Sequence, residues 1–139
     1  MRSRLWLCAL APLLGGCFCA GASRVTMTYS GFNEHAGKKL AMRLRQGSSE
    51  LAGSRQGVIV DTAGRAVFLL SLAVETEYQH QYFIDDNGNG IWDGPLDTGE
   101  HSWSKVLIIP APTRNADSIA LTIAHDNNHS AIPPDFTAP

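Results

Sequence analysis

Cysteine is almost missing from this 139-residue chain, because Cys8, Cys17 and Cys19 all fall within its first 19 residues. The body that follows has no thiol for chemistry and no disulfide to hold it together. Long apolar runs are missing too. The run at residues 5–14, "LWLCALAPLL", is half the length of about 20 residues that a bilayer span needs. Charge is sparse, at 17% of residues, and carries no basic excess, with a formal net charge of −2. That balance excludes the basic face on which nucleic-acid binding depends. No G-x-S-x-G and no H-E-x-x-H is present, so two common catalytic signatures are absent. No amphipathic helix of useful length, internal repeat or second domain is visible.

What is present begins with a leader. "MRSR" places two positive charges ahead of the apolar run, the pattern of an export signal over residues 1–22. Two processing sites compete. "AGA" at residues 20–22 is the small-x-small pattern of ordinary cleavage. "LLGGC", ending at Cys17, is similar to a bacterial lipobox, whose cysteine is lipidated. The expected location is extracytoplasmic: a periplasmic or outer-membrane lipoprotein, or a secreted protein. Losing Arg2 and Arg4 with the leader reduces 11 basic side chains to nine, against 13 acidic ones.

The body reads as strands. In "RVTMTYS", Val25, Met27 and Tyr29 alternate with Thr26, Thr28 and Ser30, and "KKLAMRLRQ" sets Leu40, Met42 and Leu44 against Lys39, Ala41, Arg43 and Arg45. "GVIVD", "RAVFLLSLAV", "EYQHQYFID", "SWSKVLIIP" and "DSIALTIAH" complete the set, separated by Gly-, Ser- and Pro-rich turns. "RAVFLLSLAV" fits helix or strand by periodicity, and its β-branched and aromatic content favours strand. The expectation is an all-β fold, a single antiparallel β-sandwich of about seven strands over residues 23–125. Residues 126–139 form a polar, proline-rich tail expected to lie over the surface.

One stretch stands out: "FIDDNGNGIWDGPLDTGEHSW", residues 83–103. With Asp85 as position one, oxygen ligands fall at three (Asn87), five (Asn89) and nine (Asp93). Glycine occupies six (Gly90), and Ile91 at seven offers a backbone carbonyl. This is the EF-hand calcium spacing through position nine. Calcium takes six to eight hard oxygens, which alternate residues of a tight coil supply. Position twelve is Leu96 rather than glutamate. "GPLDTG" reads as an insertion that delays the closing ligand to Glu100, with Asp97 second. Asp86 and Gly88 are expected to point away. A plain hairpin turn is the competing reading, since Asn-Gly pairs favour turns on their own account.

The run "FIDDNGNGIWDGPLDTGE", fed by "YQHQYFI", resembles the D-x-N-x-N-G-x-x-D loops of extracytoplasmic prealbumin-like and carboxypeptidase-regulatory-like β-sandwich modules. The resemblance spans about residues 64–110. It implies a calcium-binding surface or periplasmic module with a structural or binding role and no catalysis of its own. The insertion before Glu100 departs from the simple loop.

Two other function classes remain. His35, His101 and His125 would bind copper or zinc if the fold gathered them at one end of the sandwich. "HDNNH" has H-x3-H spacing, but its Asn-Asn centre and the following prolines oppose helix. Solvated or hydrogen-bonded histidines are the bland alternative. Trp92, Trp103, Tyr78 and Tyr82 would serve a carbohydrate-binding module if exposed, and otherwise belong to core and rim. Expected partners are a protein or glycan surface partner, with no nucleic acid, and a membrane only through a lipid anchor.

Overall fold

The computed structural model describes residues 21–94, 100–113, 118–133 and 135–139. The leader through residue 20, with Cys17, and loop residues 95–99, with Asp97, lie outside the described residues.

The fold is all-β: two packed sheets. β1 (Ala22–Ser30) is central in the smaller sheet. It pairs antiparallel with β5 (Ala66–Ala73), placing Met27 against Phe68. On its other side it pairs with β8 (Ser118–Ala124), where Met27 meets Leu121. That second pairing is parallel, a departure from a wholly antiparallel sandwich. The larger sheet is built on β2 (Lys39–Gln46) and β6 (Glu77–Asp85), antiparallel, with β7 (Ser102–Ile108) beyond β6. The far edge of β2 is covered in two pieces, β3 (Ser49–Glu50) and β4 (Gln56–Ile59). β3, only two residues long, raises the strand count to eight.

Alternation explains the core. Val25, Met27 and Tyr29 of β1 face Leu40, Met42 and Leu44 of β2 and Tyr78, Tyr82 and Ile84 of β6 in one apolar cluster. β5 contributes Ala66, Phe68, Leu70 and Leu72 and leaves Val67 and Leu69 exposed. Tyr29 pairs with His80 through its hydroxyl in the middle of this core. Burial pushes the His80 pKa down to about 3, so the ring is neutral there.

The outer face of β2 and β6 is covered as well. Ala41, Phe83 and Trp92 form a second apolar cluster with Ile132 and Phe136 of the tail. Arg43, on the face where alternation predicts solvent, is 1% exposed. Its Nε donates to Gln81 Oε1 (2.8 Å), its other nitrogens reach Glu50 and Asp135, and its guanidinium lies 4.6 Å from the Phe136 ring centre. A buried guanidinium needs such partners on every side.

Candidate metal sites at one end of the sandwich

Topology gathers the chemistry. β1, β6 and β8 all end, and β2 and β7 begin, at the same end of the sandwich, because β1 and β8 run parallel while β2–β6 and β6–β7 run antiparallel. The acidic loop therefore shares this end with the turn after β1 and the segment after β8.

β6 stops where its aromatic and β-branched run meets Asp85-Asp86-Asn87-Gly88, residues that favour turns. Asp85, 3% exposed, folds the coil back on itself. Its Oδ1 accepts from the Gly88 N–H (2.8 Å) and its Oδ2 from the Gly90 N–H (3.0 Å). Gly90 has φ +76°, the left-handed region that glycine enters at least cost. Asn87 Oδ1 accepts from the Asn89 N–H (2.9 Å), and Asn89 Oδ1 from the Ile91 N–H (2.7 Å). The amides of Asn87 and Asn89 both donate to Asp93 Oδ2, at 2.8 and 2.5 Å. The Asp93 N–H donates to Glu100 Oε2 (3.1 Å). Positions one, three, five and nine and the delayed Glu100 thus stand together in one coil. Ile91, whose carbonyl was expected as a ligand, lies in the same coil with its side chain half exposed.

Glu100 is fully buried. Its carboxyl pKa is raised, first by burial and then by the nearby Asp93, Asp85 and Asp86 carboxylates, against the lowering effect of the Asp93 N–H. The C-terminal tail clamps the loop from outside. Phe136 O accepts from the Trp92 N–H (3.1 Å), Gly90 O accepts from the Ala138 N–H (2.6 Å), and Ile91 bridges to Thr137. Nothing in the polar, proline-rich composition of the tail announces this. The isolated Phe136 and Ile132 were its one signal.

Asp86 Oδ1 lies 3.4 Å from His35 Nδ1. Lys38 Nζ donates to the Asp86 carbonyl. His35 sits in the 3-10 turn Asn33–His35 after β1, and it is 7% exposed. Its ring centre is 5.5 Å from that of His101 and 5.9 Å from that of His125. His129, the second histidine of "HDNNH", stacks on His101 at 4.1 Å. Phe32 and Trp103 line the cluster beneath, with Phe32 4.7 Å from His125 and Trp103 5.5 Å from it. Burial lowers the His125 pKa, helped by His35 and His129. Burial and then His101 lower that of His129. As the side chains stand, no group of three or more His, Cys, Asp or Glu among the described residues is placed to hold a metal ion.

Trp92, Trp103, Tyr78 and Tyr82 are all at most 5% exposed, so these four rings form no exposed platform. A cleft of ≈ 460 Å³ along Arg24–Thr26, Leu69, Leu70 and Ser118 lies away from the loop and the histidines. Among the described residues, no helix is long and apolar enough to cross a membrane. No protein-family model, curated protein or solved structure matches the chain.

Proposed function

We propose that this protein is an extracytoplasmic β-sandwich module that binds one calcium ion in the loop between β6 and β7, in a structural or binding role rather than a catalytic one. The ligands are the side chains of Asp85, Asn87, Asn89, Asp93 and Glu100 and the carbonyl of Ile91. One observation carries the reading: ligand-type residues at EF-hand spacing meet in one coil together with a fully buried glutamate. The donor set fits the ion. Every proposed ligand is a hard oxygen, and three are carboxylates. The two asparagine amides donate to Asp93 through nitrogen while their oxygens accept from the Asn89 and Ile91 N–H groups, so binding an ion requires breaking the Asp93 bonds and drawing each oxygen inward by rotation about a soft terminal torsion. Calcium would supply a divalent charge among carboxylates that otherwise repel one another, and would tie loop, sheet and tail into one unit. The resemblance to prealbumin-like and carboxypeptidase-regulatory-like loops agrees with a module of this kind.

Isothermal calcium titration tests it. The expected result is one ion per chain, with Asp93→Ala abolishing the heat and magnesium failing to replace calcium because it demands a smaller octahedral site. A titration with no saturable heat would reject the reading.

A further inference from the structure

We propose that His35, His101 and His125, closed by His129, form a second metal site, for a late first-row transition ion of the copper(II) or zinc kind. Three segments remote in sequence deliver the four side chains to one place: the turn after β1, the residue before β7 and the segment after β8, which carries both His125 and His129. Two imidazoles bound through nitrogen to one tetrahedral ion, at about 2.0–2.1 Å, hold their ring centres roughly 5–5.5 Å apart. His35 stands 5.5 Å from His101 and 5.9 Å from His125, so the rings already have nearly that spacing. As the side chains stand, no three of them among the described residues are placed to hold an ion, so the rings have to turn to bind it, which the broad, soft terminal torsion of histidine allows. His129, now stacked on His101, has to part from it to ligate.

Two further features favour an ion. His101 Nδ1 and His125 Nε2 are buried nitrogens without a hydrogen-bond partner among the described residues. A buried polar atom left unpaired destabilises the fold, and a nitrogen lone pair directed at a metal removes that cost. Asp86 Oδ1 sits by His35 Nδ1, the arrangement in which a carboxylate fixes a ligating imidazole and leaves Nε2 for the metal. A cleft of ≈ 280 Å³, lined by Gly31, Asn33, Glu34, His35, His125 and Asn127, gives an ion a way in. An all-imidazole donor set suits copper and zinc and does not suit calcium, and affinity order places copper(II) first. This site shares no ligand with the calcium loop, so it stands or falls separately.

The test is titration of the folded chain with copper(II) and with zinc, in calcium-containing buffer, read by calorimetry and by tryptophan fluorescence. Trp103 lies 5.5 Å from His125, so copper should quench it, and quenching should persist in Trp92→Phe. One ion per chain is expected. The volume-preserving pair His35→Gln and His125→Gln should abolish uptake while the metal-free melting midpoint stays within a few degrees. Asp86→Asn should weaken binding about 10–100-fold and leave calcium binding intact, whereas Asp93→Ala should do the reverse. Absence of uptake of either ion, or uptake indifferent to the histidine pair, would overturn the proposal.

Discussion

Phe136→Ala probes how far the tail belongs to the fold. Phe136 is fully buried. Its ring meets Phe83 edge-on at 4.9 Å and lies under the guanidinium of Arg43 at 4.6 Å. Truncating a buried phenylalanine costs about 3–5 kcal/mol, and the cation–π contact adds about 0.5–1 kcal/mol. The pocket is roofed by a few tail residues, so it can partly refill with water, and the lower end applies. We expect a loss of about 3 kcal/mol in equilibrium urea unfolding, monitored by the fluorescence of Trp92, which shares the cluster. At about 3–6 °C per kcal/mol for a body of this size, the melting midpoint should fall by roughly 9–18 °C. A loss within about 0.5 kcal/mol, the range of ordinary surface substitutions, would show that the tail does not dock on the sheet.

Acid should destabilise the protein through His80. Its folded pKa, about 3, lies below the usual 6.5, so the stability it contributes is complete above pH 6.5 and is lost as pH falls toward 3. The slope is about 1.4 kcal/mol per pH unit. His80→Gln should flatten the acid limb of a midpoint-against-pH curve, and parallel limbs would refute the assignment. Gly64→Ala should be far more damaging than Gly37→Ala. Both glycines have positive φ, but a Cβ at Gly64 would stand 2.6 Å from the Asn33 backbone nitrogen, while at Gly37 it meets open space. We expect about 1 kcal/mol at Gly37 and a clearly larger loss at Gly64, read from chemical denaturation; equal losses would contradict the close packing of the turn that carries His35.

The strands were legible because the body alternates. Val25, Met27 and Tyr29 face inward as their period-two spacing requires, and the apolar run at residues 66–73 is a strand, as its β-branched and aromatic content indicated. Within that run the burial pattern was hidden, because Val67 and Leu69 are as apolar as the residues they alternate with. Ser49–Glu50 read as turn, since two residues carry no periodicity. The parallel pairing of β1 with β8 joins segments about 94 residues apart, and local pattern is silent on such partners. Arg43 illustrates the same limit: its alternation is correct, but the face it points to is roofed by Phe136. The loop's Asp, Asn and Glu residues were readable as one group because their spacing is local. The histidine cluster needed the topology, and the stacking of His129 on His101 had no signal beyond the H-x3-H interval.

Calcium dependence of the melting midpoint is the most direct test of the central claim. A ligand that binds the folded state alone stabilises it by RT ln(1 + [L]/Kd). Extracellular modules bind with Kd of about 10⁻⁴–10⁻³ M, so about 1 mM free calcium should contribute about 0.4–1.4 kcal/mol. The midpoint should rise by a few degrees over that in chelator, with Asp85→Ala abolishing the rise, Asp86→Ala preserving it and Glu100→Ala weakening it more than Asp97→Ala. A wild-type midpoint indifferent to both calcium and chelator would reduce the loop to a turn and contradict the account.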